Sequence, residues 1–236
     1  MNIALILSGG TGSRMGLDTP KQYLKVNNKP VFMYCFEVLA GHRDIDAVAV
    51  VADSSWHLDI SSWIDESHMD EVSKGKFRGF SEPGKTRQLS IFNGLSDIRR
   101  YASSDDNVLI HDAARPLLTE QLVTECLMQM KEHEGVLPVL PMKDTVYLSS
   151  DGKVISSLLN RSEVFAGQAP EVFKLEKYYE ANKVLLPDRI CEINGSSEPA
   201  VLAGMDVAII SGDEENFKIT TRSDLERFME VIKNKE

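Results

Sequence analysis

Apolar positions fall in short dense runs along the chain, and these alternate with stretches in which they recur every three or four residues. Ile3 to Leu7 is the first run and reads as a strand entering a glycine-rich turn. After Pro30, Val31 to Ala40 carries apolar residues on a helical period, which Gly41 can end. Ile45 to Ala52 is almost wholly apolar and rich in β-branched residues, the pattern of a parallel strand covered on both faces. Polar residues dominate 54–76, which predicts one irregular helix with flanking loops, followed by a strand around Lys76 to Phe80. Gly84 opens a helix over roughly Thr86 to Tyr101, Val108 to His111 is a buried strand, Thr119 to His133 a helix, and Val136 to Leu140 another strand.

Strands alternating with helices at this spacing predict an α/β fold with a mostly parallel sheet flanked by helices. The pattern changes at Thr145. Thr145 to Leu148, the turn at Asp151-Gly152 and Val154 to Leu158 predict an extended hairpin projecting from the main layer, a β arm of about 144–165. Helix resumes from Lys174 to Leu185, with Pro187 breaking it. Val207 to Ser211 is a late strand, and Ser223 to Lys233 an amphipathic last helix that Ser223 can cap. Neither a repeat nor an interdomain linker interrupts residues 1–236, so a single domain is expected.

Charge narrows the partners. The formal net charge of -10 excludes broad contact with nucleic acid or an anionic membrane, while leaving room for a local basic pocket that holds phosphates. No apolar stretch approaches the roughly 20 residues that span a bilayer. Cys35, Cys126 and Cys191 are odd in number and far apart, which points to buried thiols in a reducing, cytoplasmic compartment rather than to a disulfide framework. Five scattered histidines do not suggest a zinc site.

The candidate chemistry begins directly after the first strand, at Ser8-Gly9-Gly10-Thr11-Gly12-Ser13-Arg14. Glycines there permit left-handed backbone and close approach to a ligand, and successive amides can cradle an anion. The loop lacks the terminal Gly-Lys-Ser/Thr of a Walker A loop and is not a GxGxxG. By itself it is equally plain turn chemistry. Lys21, in Pro20-Lys21-Gln22-Tyr23-Leu24, is either a second cation for the same anion or a solvated surface lysine. Asp112 follows a buried strand, where ligands gather in open α/β sheets. It reads as a hard oxygen ligand for Mg²⁺ or as a helix cap or ion-pair partner of Arg115. His111 reads as a hydrogen-bonded loop residue, and Gly84, Arg87 and Ser90 as the first turn of a helix.

Taken in order, these segments resemble one family. SGGTGSRMG followed by PKQYL is similar to the nucleotide-binding signature of the cytidylyltransferases that activate 2-C-methyl-D-erythritol 4-phosphate or ribitol 5-phosphate. GKTRQLS at 84–90, NGL at 93–95, HDAARP at 111–116, KDT at 143–145, QAP at 168–170 and NFKITT at 216–221 follow in the family's order over nearly the whole chain. The resemblance implies a Rossmann-like fold of the nucleotide-diphospho-sugar transferase type, and CTP as co-substrate with Mg²⁺. It implies Gly9, Gly10, Gly12, Gly84, Ser90 and Asp112 around the nucleotide, with Asp112 organising the metal. It further implies Arg14, Lys21 and Lys218 as the cations that stabilise the transition state at the α-phosphate, with direct in-line attack by the acceptor. Thr145, Arg161 and Asn194 are implied on the acceptor, and the projecting arm implies a homodimer with shared sites.

The chain departs from the family where relatives carry a Thr followed by acidic positions. It reads Ile193-Asn194-Gly195-Ser196-Ser197-Glu198 instead, with Asn194 in place of the Thr and Gly195 and Ser196 at the acidic positions. Ser196 or Ser197 can substitute for what is lost. The expected acceptor is 2-C-methyl-D-erythritol 4-phosphate, because HDAARP resembles that branch. Ribitol 5-phosphate, for cell-envelope polymers, is the alternative, because SGG and the altered loop do not follow that branch. A nucleotide-binding regulator without turnover is the reading from a different class, and the retained Arg14, Lys21, Asp112 and Lys218 argue against it.

Overall fold

The structure is a computed structural model, and it describes residues 1–10 and 19–234. Strand β1 (Asn2–Leu7) leads into the glycine turn, and after a short 3-10 turn at Lys21–Tyr23 the two-residue strands β2 (Lys25–Val26) and β3 (Lys29–Pro30) pair with each other. Next come α1 (Val31–Gly41), β4 (Ala47–Val51), α2 (His57–Asp65), α3 (Glu71–Lys74), β5 (Phe77–Ser81), α4 (Arg87–Ile98), β6 (Asn107–Asp112) and α5 (Glu120–Gln129). β7 (Gly135–Pro141) precedes the arm, whose strands β8 (Tyr147–Leu148) and β9 (Ser157–Leu158) pair antiparallel. The chain closes with β10 (Phe165–Gly167), β11 (Glu171–Lys174), α6 (Leu175–Lys183), α7 (Glu198–Leu202), β12 (Val207–Ser211) and α8 (Arg222–Lys233).

β1 lies at the centre, parallel to β4 on one side and β6 on the other, and β5 extends the parallel half beyond β4. The period of two along β1 divides the core. Ala4 and Ile6 face a layer with Phe32, Phe36 and Leu39 of α1 and Leu122 and Val123 of α5. Ile3 and Leu5 face the opposite layer with Ile91, Leu95 and Ile98 of α4 and Tyr178 of α6. All of these β1 side chains are fully buried. Each large one contributes about 1.5–3 kcal/mol, and that burial is what sets the strand register. A third cluster ties Phe228 of α8 to Val26, Val31 and Ile219, which anchors the segment just before α8.

Three departures from the sequence pattern stand out in the structure. β11 inserts antiparallel between β6 and β7, and β10 continues along the same side of β7, so this half of the sheet is mixed. Val139 pairs with both Gly167 and Ser211, which puts β12 on the opposite side of β7 from β10. Only Val172 and Phe173 are apolar in β11, too short a run to announce a strand. Residues 54–76 form α2 and α3 with a break between them rather than one helix, because Asp70 restarts the chain by accepting a hydrogen bond from the Ser73 amide at 2.7 Å. Likewise Thr221, not Ser223, caps α8, in a capping box with Asp224.

Candidate active site

The parallel register places Leu7 opposite both Val51 and Asp112, so the carboxyl ends of β1, β4 and β6 share one edge of the sheet. The glycine turn leaves β1 at this edge. Gln22 donates to the carbonyl oxygens of Ser8 and Gly10, each at 2.7 Å, and Tyr23 exchanges hydroxyl hydrogen bonds with Ser8. The base of the loop is therefore held by two side chains of the PKQYL segment. A Cβ on Gly9 would lie 2.6 Å from Cβ of Pro83, and one on Gly84 would lie 2.6 Å from the Leu89 side chain. Glycine is required at both places by close approach, which brings the Gly9 turn against the start of α4. Gly12 and Arg14 lie outside the described residues. Lys21 opens the 3-10 turn that also supplies Gln22 and Tyr23.

Asp112 is the last residue of β6 and is buried. Three cations from three parts of the chain converge on it. Arg87, the first residue of α4, donates Nε and Nη2 to Oδ1 at 3.2 and 3.1 Å. Lys218 donates Nζ to Oδ2 at 2.9 Å, and Arg115 Nε stands 3.7 Å from the same oxygen. Burial alone pushes the Asp112 carboxyl up, but Arg87, Lys218 and Arg115 outweigh it and hold the group far below the usual carboxylate range. Arg115 also donates to the Asn216 carbonyl at 2.7 Å, so it staples the loop after β6 to the segment carrying Lys218. His111 is fully buried, its Nε2 is 3.0 Å from the Arg115 carbonyl, and burial pushes its pKa down to about 4. It lies within β6, and its Nδ1 is buried without a hydrogen-bond partner among the described residues.

Ser90 lies one turn into α4. Its Oγ donates to the Thr86 carbonyl at 2.9 Å and accepts from the Gly84 amide at 2.9 Å. Gly84 and Ser90 are thus joined to each other beside Arg87. The acceptor-side residues are placed differently. Thr145 and Arg161 are exposed on the arm, and Arg161 donates to the Lys143 carbonyl at 2.7 Å. Asn194 is exposed, its amide donating to Glu198 at 2.9 Å. No hydrogen bond or ion pair recorded among the described residues joins Thr145, Arg161 or Asn194 to Asp112.

The sequence reading passed over one charged group. Glu171, the first residue of β11, is buried, stands 3.9 Å from Arg87 and accepts a hydrogen bond from Ser196. A single acid beside two apolar residues has no mark that separates it from a solvated strand end. Its position after QAP was the one available signal.

Among the described residues no group of three or more His, Cys, Asp or Glu is arranged to hold a metal. Both oxygens of Asp112 are engaged by Arg87, Lys218 and Arg115, so Mg²⁺ would share that carboxylate with them and fill most of its shell with water and substrate oxygens. The model of the family described as IspD, 2-C-methyl-D-erythritol 4-phosphate cytidylyltransferase, matches residues 2–233, and the chain belongs to that family. A ribitol-5-phosphate cytidylyltransferase of Streptococcus agalactiae serotype V is 32% identical over 97% of this chain and 93% of its own length. One from Vibrio parahaemolyticus is 33% identical over 100% and 98%. A 2-C-methyl-D-erythritol 4-phosphate cytidylyltransferase of Clostridium tetani is 29% identical over 99% and 92%. The fold is also that of 4-diphosphocytidyl-2C-methyl-D-erythritol synthase from Anaerococcus prevotii, with a TM-score of 0.82 at 22% identity over 98% of this chain and 96% of that one. The chain is an enzyme of CTP-dependent cytidylyl transfer to a small polyol or sugar phosphate. No helix among the described residues is long and apolar enough to cross a membrane.

Proposed function

We propose that the acceptor is ribitol 5-phosphate, so that the products are CDP-ribitol and pyrophosphate. The observation that carries this reading is the 32–33% identity, over nearly the full length of both chains, to proteins named for that reaction. 2-C-methyl-D-erythritol 4-phosphate is the second reading, favoured by the description of the matching family and by the HDAARP segment. Initial rates with CTP and each polyol phosphate separate them. A higher kcat/KM for the methylerythritol phosphate reverses the order, and no turnover of either removes both.

An acceptor phosphate oxygen attacks the α-phosphorus of CTP as the bond to the β-phosphate oxygen breaks. Lys218, with Arg14 and Lys21, sets positive charge where negative charge develops in that step. Asp112 holds Lys218 and Arg87 at the strand edge and is the residue that would hold Mg²⁺. Mg²⁺, when bound there, neutralises triphosphate charge and orients the leaving pyrophosphate. Gly9, Gly10 and Gly12 line the phosphates, and Gly84 and Ser90 flank the nucleoside. Arg161 and Thr145 take the acceptor phosphate, and Asn194 faces the polyol.

The arm supports a homodimer. Tyr147, Leu148, Val154, Ile155 and Leu158 are all exposed on a short hairpin, and Phe165, where the chain returns to the sheet as β10, is exposed too. Large apolar groups gathered on one projection mark an interaction surface. Its ends also carry Thr145 and Arg161, so docking the arm on a second copy is the route by which acceptor-side groups reach an Asp112 centre. The free cysteines Cys35, Cys126 and Cys191 support the cytoplasm as its compartment.

A further inference from the structure

Ser196, on the loop before α7, is buried, and the structure shows what it touches. Its Oγ donates to Oε1 of Glu171, which rises from β11 beneath the loop. Glu171 is almost wholly buried, and its second oxygen, Oε2, has no hydrogen-bond partner. Nη2 of Arg87 stands 3.9 Å from Oε1 while bonded to Asp112 at 3.1 Å. A continuous path therefore runs from the 194–197 loop through Ser196, Glu171 and Arg87 to Asp112. A parallel path runs from the Ser196 carbonyl to the Tyr178 hydroxyl at 2.6 Å and on to Gln88, next to Arg87 on α4, at 3.0 Å.

Charge gives this arrangement its purpose. Asp112 alone faces Arg87, Arg115 and Lys218, three cations on one carboxylate. A guanidinium held by one anion can turn about that contact, whereas one set between two anions has its plane fixed. Glu171 stands 3.9 Å from the same Arg87, and burial pushes its carboxyl up against the pull of Arg87.

We propose that Glu171 is a positioning residue of the cytidylyl transfer, standing on β11 between Ser196 and Arg87 and holding Arg87 against Asp112. The proposal rests on reading Asp112 as the centre of the nucleotide site. It predicts that the acid can stand on either side of the Ser196–Glu171 contact. Glu171→Gln keeps an acceptor for Ser196 and removes the charge, so kcat/KM should fall about tenfold or more, as when a supporting group of a catalytic centre is lost. Ser196→Glu sets a second carboxylate against Glu171 and should be similarly impaired. The double variant, Glu171→Gln with Ser196→Glu, returns one carboxylate to the pair and should recover kcat/KM to within about threefold of the unaltered enzyme.

Steady-state kinetics with CTP and whichever polyol phosphate the unaltered enzyme uses, together with thermal unfolding of all four proteins, test this. The same reciprocal rescue is expected in Tm, which needs no substrate. A double variant no better than the worse single, in rate and in Tm, overturns the proposal, as does full activity of Glu171→Gln. If Ser196→Glu does not fold, Ser196→Ala decides. It leaves the Glu171 charge in place and should keep kcat/KM within about threefold, so a loss equal to that of Glu171→Gln overturns the proposal too. An unaltered protein without turnover refutes the acceptor reading, and the Tm rescue still stands or falls on its own.

Discussion

Lys218 and Asp112 meet at 2.9 Å although 106 positions separate them in the chain. Asp112 ends a strand at the centre of the sheet, and Lys218 lies on the irregular segment between β12 and α8. Ile219 explains the encounter: its side chain is fully buried with Val31, Leu117 and Phe228, and its amide donates to the Ala114 carbonyl at 2.8 Å. One apolar anchor beside the lysine, and one backbone bond to the loop after β6, aim the ammonium at the carboxylate. Both groups are preorganised before any substrate is present, which is the condition under which fixed charges lower a barrier.

Asp112→Asn should impair turnover far more than folding. The amide keeps the shape and one acceptor oxygen but leaves Arg87, Arg115 and Lys218 without their shared anion. Because Arg87 and Lys218 are each about one-third exposed, water screens part of the resulting repulsion, and a stability loss of about 1–3 kcal/mol is expected. Magnesium titration of kcat, paired with circular dichroism and urea unfolding, separates the two effects. A folded variant with normal rate and normal magnesium dependence removes Asp112 from the metal.

Lys218→Met should lower kcat and kcat/KM together, by about two to three orders of magnitude, if its charge acts mainly in the transition state. The methionine retains a flexible apolar stem, so the fold is expected to survive. Quenched single-turnover measurement places the loss in the chemical step. A normal chemical rate with slow product release would assign Lys218 another role.

The elements that built the nucleotide side were legible in the sequence, because each has a strong local cause. β1, β4 and β6 are dense apolar runs, and the glycine turn and Asp112 sit at their ends. β11 was not legible: it has four residues, two of them charged, and only its pairing with β6 and β7 makes it a strand. Glu171 was hidden with it. The Ser196–Glu171 contact joins residues 25 positions apart, and no spacing rule connects them. Arg87 was seen as a charge at a helix start, yet its bond to Asp112 depends on how α4 packs over β1, which is a tertiary fact.

The cap of α8 gives a pH dependence. Burial pushes the Asp224 carboxyl up, but hydrogen bonds from Thr220 and Thr221 prevail and bring it down to about 2. A carboxyl depressed in the folded state stabilises above its unfolded pKa, about 3.9, and loses that contribution as pH falls through the folded value. Between pH of about 5 and 2 the unaltered protein should therefore lose stability more steeply than Asp224→Asn. Urea midpoints across that range test it, and parallel slopes would refute the assignment. Since Thr220 follows Lys218 by two residues, the variant should also lower kcat modestly.

Ile155→Asp combined with Leu158→Asp should yield a monomer. Both side chains are exposed on the arm, at 62% and 65%, so the unpaired chain loses little by the change, whereas an apolar interface would have to bury two charges. Sedimentation should show the halved mass, CTP binding by calorimetry should persist, and acceptor turnover should collapse. A dimeric, fully active variant would show that the arm does not carry the association.

The acceptor-side assignment divides into two roles that substitutions can separate. A phosphate calls for charge-assisted hydrogen bonds in a planar fork, which arginine supplies and lysine does not reproduce. Arg161 donates to the Lys143 carbonyl through Nη1 at 2.7 Å, which fixes its stem on the arm. Asn194, by contrast, presents an amide on an exposed loop, suited to a hydroxyl as donor and acceptor. Arg161→Lys should therefore lower kcat/KM about tenfold or more for ribitol 5-phosphate and 2-C-methyl-D-erythritol 4-phosphate alike, since both carry the phosphate. Asn194→Thr changes only the group that meets the polyol, so it should shift the ratio of the two efficiencies while leaving the KM for CTP in place. Measured at saturating CTP and Mg²⁺, full activity of Arg161→Lys on both acceptors removes the phosphate role. Equal scaling of both efficiencies by Asn194→Thr would remove Asn194 as the discriminator of the polyol.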